Sequence, residues 1–449
     1  MSLIKTFKID GLFGYKNISI DFSDSYKIIV GENGSGKTTI INALYYTITK
    51  QFELLSKINF NKIDLVLDGR KTVSFSHIEI DAFVEKEDRF QNSPFYRSVA
   101  NRLKNTDMNK LESIIYSDDP KLDKIASVNA YLNKLGFRFS TSSSYVFQNI
   151  KRLVNENISM NFQHKAEFLD VFAQYSVLFF PTYRRIESSV VWKNMIHKLE
   201  DRYLFSEEIP TDIQDKELMQ FGMEDVKSNI EKLTSEIKEK TMAGFSSIMG
   251  NMLGYLLNIS HTAEEYSFED DKIRIILDRL GNRVSDEDKT GIKRYAASKT
   301  LDNNSLNYLI GELINLYEEQ SEYDFAIKKF KDTCNKYLNE KQFVYDESAV
   351  ELYITSTHNG EKLDLEFLSS GEKQIVSLFS KVFLNIEKKL IVIFDEPEIS
   401  LSLDWQEKLL PDIVDSGKCI FMMAVTHSPF IYNNPLKDNT SSLFDYIVQ

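Results

Sequence analysis

The sequence predicts an α/β head, with two lobes around a mixed central sheet, split by a long helical insertion. Three observations predict it. Near the start, Gly31-Glu32-Asn33-Gly34-Ser35-Gly36-Lys37-Thr38-Thr39 spells a full phosphate-binding loop. Late in the chain, Leu390-Ile391-Val392-Ile393-Phe394-Asp395-Glu396 is an apolar run ending in two carboxylates, and Asp395 lies 358 positions after Lys37 (395 − 37). Between them, apolar residues recur at helical spacing over 226–256 and again over 306–337, so one head has been interrupted rather than two built.

Taken in order, residues 4–13, 18–22 and 26–30 read as strands that lead into the loop. Residues 38–50 continue as a helix with Ile40, Ala43, Leu44 and Ile48 on one side. Residues 62–67 and 72–83 read as strands joined at Asp68-Gly69, a hairpin turn signal. Residues 90–170 are helical and polar, with loop signals at Ser117-Asp118-Asp119-Pro120 and at 140–144. A buried strand over 175–180 is stopped by Pro181. This first lobe is assigned residues 1–187.

The insertion is assigned residues 188–340. Val226, Ile230, Leu233 and Ile237, then Ile248, Met252 and Leu256, mark one amphipathic helix with a weak point near Gly244. Leu306, Leu309, Leu313 and Leu316, then Ile327, Phe330, Cys334 and Tyr337, mark a second. The stretch between them, with Glu269-Asp270-Asp271 and residues 286–291, reads as a polar, turn-prone linker. The simplest assembly is a coiled-coil-like antiparallel arm reaching roughly 50 Å at about 1.5 Å per residue. The alternative is a compact helical subdomain packed on the head. Strands over 343–345 and 351–356 open the second lobe, residues 341–449.

Composition bounds the rest. A hydrophobic fraction of 42%, with 31 Phe and 22 Tyr, supports a sizeable core. A net charge of −13 argues against a broad duplex-binding face, because nucleic-acid affinity rests on neutralising phosphates. Cys334 and Cys419 make neither a disulfide framework nor a metal spacing. No apolar run is long enough for a membrane span, and the N-terminus lacks a signal-peptide pattern, so a cytoplasmic protein without membrane contact is expected.

The chemistry follows from the motifs. Asn33, Gly34, Ser35, Gly36, Lys37, Thr38 and Thr39 would cradle phosphates with backbone N–H groups, Lys37 meeting the β- and γ-phosphates of ATP. The Thr38 hydroxyl and the Asp395 carboxylate are the candidate ligands of Mg2+. Glu396 is positioned to take a proton from the attacking water. His427, after a strand over 420–426, is the candidate γ-phosphate sensor. In Leu368-Ser369-Ser370-Gly371-Glu372-Lys373-Gln374, residues Ser369, Ser370, Gly371 and Glu372 open a helix that offers an anion site, and Ser369 to Glu372 also fits a capping box.

In this order, the motifs resemble the ABC ATPase superfamily, in particular its chromosome-maintenance and defence branch. Ser370 replaces the first Gly of the Leu-Ser-Gly-Gly-Glu-Lys signature usual there. Within the branch, Gly11-Leu12-Phe13-Gly14-Tyr15-Lys16, the 31–39 loop, residues 180–187, 368–374 and 394–400 are similar to anti-phage ATPases of the OLD, Septu and PARIS AriA families. The resemblance implies an ATPase whose signature faces the γ-phosphate of another subunit. It places Asp404 at the dimer seam and implies a homo-oligomer. It further implies a sensor that holds a separate toprim-type nuclease until a phage trigger protein arrives, because OLD-type proteins carry a nuclease domain that is not expected in the 22 residues after His427 (449 − 427). No clear Q-loop is present. Gln148 is spelled like one but sits in a helical region, whereas Tyr183, Arg184 and Arg185 follow a strand end. A DNA-clamping repair or chromosome-structure ATPase is the rival reading, disfavoured by the short arm, the acidic charge and the lack of a C-x-x-C pair. A transporter subunit is disfavoured by the helical insertion.

Lys37→Ala removes the principal cation of the loop and is expected to abolish ATP binding. Isothermal titration checks it, and wild-type affinity in the variant would place the nucleotide elsewhere.

Overall fold

The computed structural model describes residues 2–69, 72–84, 94–181, 223–257, 269–298 and 303–448. The first lobe contains β1 (Ile4–Leu12), β2 (Lys16–Asp21), β3 (Tyr26–Val30), β4 (Lys62–Leu67), β5 (Thr72–Ser76) and β6 (Ser176–Phe180). The second contains β7 (Lys341–Asp346), β8 (Glu351–Ser356), β9 (Lys362–Leu363), β10 (Leu390–Asp395), β11 (Cys419–Thr426), β12 (Thr440–Ser442) and β13 (Ile447–Val448). Parallel and antiparallel pairing separate into different sheets. β13-β2-β1-β4-β5 is antiparallel, β12-β3-β11-β10-β6 is parallel, and β7-β8-β9 is a small antiparallel sheet.

The parallel sheet joins the ends of the chain. β3 and β6 from the first lobe flank β11 and β10 from the second. Every residue of β10 is buried, as expected of a parallel strand covered on both faces. Side chains alternate between those faces. Ile391 and Ile393 enter one core together with Ile40, Ile41, Leu44 and Ile48 of the helix Lys37–Ile48. Leu390, Val392 and Phe394 enter the other, together with Ile375, Val376, Phe379 and Phe383 of the helix Ser370–Phe383. The phosphate-loop helix and the signature helix therefore pack on opposite faces of one sheet.

One expectation changes in the first lobe. Residues 72–83 are not one strand, because β5 ends at Ser76 and the helix His77–Val84 begins. The overlooked signal is a capping box. The Glu79 amide donates to Ser76 Oγ at 3.3 Å and Glu79 Oε2 accepts from the Ser76 amide at 2.8 Å. The helical stretch that follows has its own core, with Leu111, Leu132, Phe137, Ile150 and Val154 buried together.

In the insertion, the helices Met223–Leu257 and Asn304–Cys334 pair as expected. The linker does not stay irregular. It forms the helices Asp270–Arg279 and Asp286–Ser298. The acidic clusters read as turns occupy the first turns of those helices, where they complement the positive end of the dipole. Ile248, Ile273, Ile276, Leu277, Leu280, Ile310 and Leu313 share a core, so the insertion is a folded helical bundle rather than a bare arm. Gly244 does not break its helix. A Cβ there would lie 2.2 Å from Leu316 Cδ1, so the glycine allows the long helices to approach.

The bundle is fastened to the head. Arg279 donates from Nη2 to Asp324 Oδ1 at 2.7 Å, from Nη1 to Gln320 Oε1 at 2.9 Å, and from Nε to the Glu347 carbonyl at 2.9 Å, in the β7–β8 turn. The Arg279 and Asp324 side chains are 1% and 2% exposed. Val226, Ile237, Ile327, Phe330 and Cys334 add an apolar root in the signature-side core. Among the described residues no helix is long and apolar enough to cross a membrane. Arg279→Ala strands a buried carboxylate, and is expected to lower unfolding stability by about 3–5 kcal/mol. Urea denaturation checks it, and a loss below about 1 kcal/mol, the scale of a surface pair, would deny the clamp a structural role.

Candidate nucleotide site

β3 delivers the chain into the loop at Gly31, and the helix Lys37–Ile48 leaves it. Gly34 and Gly36 have φ of 79° and 99°, a left-handed backbone that glycine adopts without steric cost. A Cβ on Gly36 would also come within 3.0 Å of the Phe13 ring. The first helical turn carries no acidic residue, which leaves its N–H groups and dipole facing an anion. Lys37 is buried inside the curl, and its Nζ donates to the carbonyls of Gly31 at 2.6 Å and Glu32 at 2.9 Å. Ser35 Oγ is buried without a hydrogen-bond partner among the described residues. A buried ammonium, an unpaired hydroxyl and an open helix start fit a phosphate chain. Asn33 and Gly34 are exposed on the rim, with Thr39 half-buried behind them.

Sequence reasoning passed over Lys16. Its Nζ donates to the Ser35 carbonyl at 2.9 Å, which adds a second cation beside the loop. The signal was present in the Gly11 to Lys16 motif, but nothing in the spelling shows that the β1–β2 turn folds against the loop.

Asp395, at the end of β10, is 1% exposed. Its Oδ1 accepts from Thr38 Oγ1 at 3.0 Å, across a separation of 357 residues. The two expected metal ligands are thus in contact, and a hydroxyl with a carboxylate is the hard-oxygen donor set that suits Mg2+. Glu396 follows with φ 54° and donates its amide to the Val425 carbonyl at 2.9 Å, extending the ladder one step beyond the strand. Strained backbone at such a place is typical of functional sites.

His427 lies with Nδ1 3.7 Å from Glu396 Oε1 and 3.1 Å from Glu398 Oε1. Glu398 is the second residue that sequence reasoning left without a role. It is 7% exposed, and its Oε1 also accepts from the His427 amide at 3.0 Å and the Ser428 amide at 3.2 Å. Gln406 braces the same turns, accepting from Ser428 Oγ at 2.7 Å and donating to the Leu401 carbonyl at 3.0 Å. One buried carboxylate therefore ties the loop after β10 to the loop after β11.

Ser369 caps the signature helix. Its Oγ accepts from the Glu372 amide at 3.4 Å, and Glu372 Oε2 accepts from the Ser369 amide at 2.7 Å. Ser369 and Ser370 are exposed. Glu372 departs from the expected ligand-facing role, because its carboxylate is buried and turned back to Ser369 and to Lys341 Nζ at 3.0 Å. Burial works to raise this carboxyl, but the Ser369 amide and the Lys341 ammonium outweigh it and hold it below its ordinary value. Gly371 is closely packed. A Cβ would lie 3.2 Å from the Trp405 ring and 3.4 Å from the Ser400 carbonyl. Asp404 is exposed one turn away, at the start of the helix Leu403–Val414.

The loop, Asp395, Glu396 and His427 are thus gathered at one end of the parallel sheet, while the signature lies on its other face. Gln148 is exposed within the helix Ser143–Glu167 and follows no strand. Tyr183, Arg184 and Arg185 lie outside the described residues, although β6 pairs with β10 as far as Phe180 opposite Phe394.

The chain is similar to several known proteins. The chain is 22% identical over 428 residues to a retron Ec83 probable ATPase from Escherichia coli, covering 93% of the chain and 67% of that protein. It is 27% identical over 154 residues to a retron Vc95 probable ATPase from Vibrio cholerae serotype O1 biovar El Tor, 30% of each chain. A solved Smc head domain with an extended coiled coil, from Pyrococcus furiosus and bound to the C-terminal domain of ScpA, aligns at a TM-score of 0.35 and 14% identity, over 98% of this chain and 93% of that one. The AAA ATPase domain family matches residues 3–432. With a complete phosphate loop, its acidic strand end and that match over nearly the whole length, the chain belongs to the AAA ATPase domain family and is an ATPase.

Proposed function

We propose that the chain is an ATP-driven switch that works as an assembly of its own copies. The observation that carries this reading is the placement of the phosphate-loop helix and the signature helix on opposite faces of one parallel sheet. A single copy cannot fold its signature onto its own loop, whereas two copies facing each other would each complete the other's site.

In that assembly residues 33–39 and Lys37 hold the triphosphate, with Lys16 adding charge beside them. Thr38 and Asp395 would hold Mg2+, which would supply neutralisation of phosphate charge. Glu396 accepts the proton of the attacking water, and His427, steadied by Glu398, monitors the γ-phosphate. Ser369, Ser370 and Gly371 of the other copy present a helix start to that same phosphate. Glu372 shapes this start without touching the ligand.

The retron relatives support a role in anti-phage defence. In this reading the chain is a sensor and scaffold of the AriA type. Its ATP-bound assembly holds a separate toprim-type nuclease, with the helical bundle as the docking element, until a phage trigger protein binds. Nucleotide can bias release of that partner only if the holding and released states differ in ATP affinity.

Glu396→Gln keeps the shape but not the base. It is expected to bind ATP normally, to lose turnover by about 10²–10⁴-fold, and to accumulate ATP-dependent assemblies in light scattering. Ser369→Arg added to it should prevent assembly while single-copy ATP affinity stays unchanged. A Glu396→Gln chain that remains a single copy in ATP, or a Ser369→Arg chain with wild-type turnover, would sink the reading. ATP-stimulated binding of duplex DNA would instead favour the clamping rival. Glu398→Ala releases the His427 loop and is expected to slow turnover at least about tenfold with little change in ATP affinity, checked by steady-state kinetics beside titration.

A further inference from the structure

Strand β7 touches two regions that the ATPase reaction must coordinate. At its first residue, Lys341 Nζ lies 3.0 Å from Glu372 Oε2, the same oxygen that accepts the Ser369 amide and closes the signature's capping box. Four positions on, Tyr345 donates its hydroxyl to Asp324 Oδ1, which also receives Arg279 of the helical bundle. Between them, Asn335, the C-cap of the bundle's return helix, acts on the strand's free edge like a neighbouring strand. Its Oδ1 accepts from the Phe343 amide at 2.7 Å, and its Nδ2 donates to the Phe343 carbonyl at 3.0 Å. Beyond the strand, Arg279 Nε and Lys328 hold Glu347. β7 is therefore held by the bundle at two places, with the turn beyond it held at a third, and it holds the signature through its first residue.

The lever is short and stiff. Four residues of extended strand span about 13 Å. The opposite edge is pinned to β8 in continuous register from Lys341↔Ser356 to Asp346↔Glu351. Phe343 is buried against Phe330 of the return helix, with ring centroids 5.2 Å apart. A shift of the return helix along its axis must carry Asn335 and Asp324 together, and hence the strand. Among the described residues, Lys341 is the cation that bonds the Glu372 carboxylate and so links that movement to it.

We infer that Lys341 is a positioning residue for the signature's anion site and that β7 transmits the state of the helical bundle to it. The inference rests on the reading that the signature closes on ATP held by another copy. In that scheme a partner or trigger that moves the bundle changes the order of the Ser369 cap, and with it head closure, without contacting nucleotide. The link is reciprocal, because ATP-driven closure pulls on the same strand.

The experiment uses the full chain with Mg-ATP, measuring single-copy ATP affinity at low protein concentration and turnover at saturating ATP. Lys341→Ala is expected to leave affinity within about twofold and to lower turnover about tenfold, the scale of one charge-assisted hydrogen bond, and Lys341→Arg is expected to restore it. Tyr345→Phe removes only a hydroxyl at the far end of the strand. It should lower turnover in the parent chain but have no further effect in the Lys341→Ala background, since both act through one strand. Wild-type turnover in Lys341→Ala, failure of Lys341→Arg to rescue, or additive effects in the double variant would overturn the inference. Ser369→Arg is run alongside. If it slows turnover while Lys341→Ala does not, only the β7 link fails; if Ser369→Arg itself has no effect, the assembly reading fails first.

Discussion

The chemistry of this molecule depends on a single buried strand, β10. Its alternating side chains are shared between two cores, so its height and register are set from both faces at once. At its end Asp395 is almost fully buried, and the hydroxyl of Thr38, from the far end of the chain, bonds to it. A carboxylate in that position cannot drift, because moving it would shift close-packed side chains on both sides. The same strand separates the phosphate-loop helix from the signature helix. One element thus gathers the phosphate loop and Asp395 at one place and keeps the signature helix on its other face.

The loops that leave the sheet carry the strain of this arrangement. Glu396 and Ser400 both have left-handed backbone, which a side chain other than glycine adopts at a cost on the order of 1–3 kcal/mol. Glu398 and Gln406 hold those turns in place by accepting and donating within the loops themselves. His427 is oriented by a neighbour's carboxylate rather than by its own strand. Its position beside Glu396 is a property of the cross-linked pair of loops.

The helical bundle extends the same economy. Its root shares a core with the signature helix, while a buried Arg279–Asp324 pair fastens its side to the β7–β8 hairpin. A buried ion pair is poor evidence for stability in itself, because desolvation offsets much of the attraction. It is, however, geometrically exacting, and here it fixes one orientation of the bundle against the head. Tyr345, whose hydroxyl joins the pair, is pushed above its ordinary range by burial and by Asp324, so it stays a neutral donor throughout the physiological range.

The sequence by itself determined the candidate site residues. The phosphate loop, the Asp395-Glu396 strand end and the Ser369 cap were legible because each depends on local backbone chemistry: glycines at left-handed turns, an apolar run with polar ends, and a serine three residues before a glutamate. The split head was legible too, since periodicity survives any insertion. Tertiary structure decided what local rules could not. Acidic clusters that resemble loops became helix starts, because a charge at a helix N-terminus and a charge in a turn are spelled alike. Residues 77–84 became a helix through the Ser76–Glu79 box despite strand-like alternation. Lys16 reached the loop, Glu398 took the His427 turn, and Glu372 turned inward to Lys341, each through partners between 19 and 31 positions away that no pattern announces. The placement of loop and signature on opposite faces of β10 has the same cause, because which face a helix covers depends on the crossing of chain segments and not on any residue within the helix.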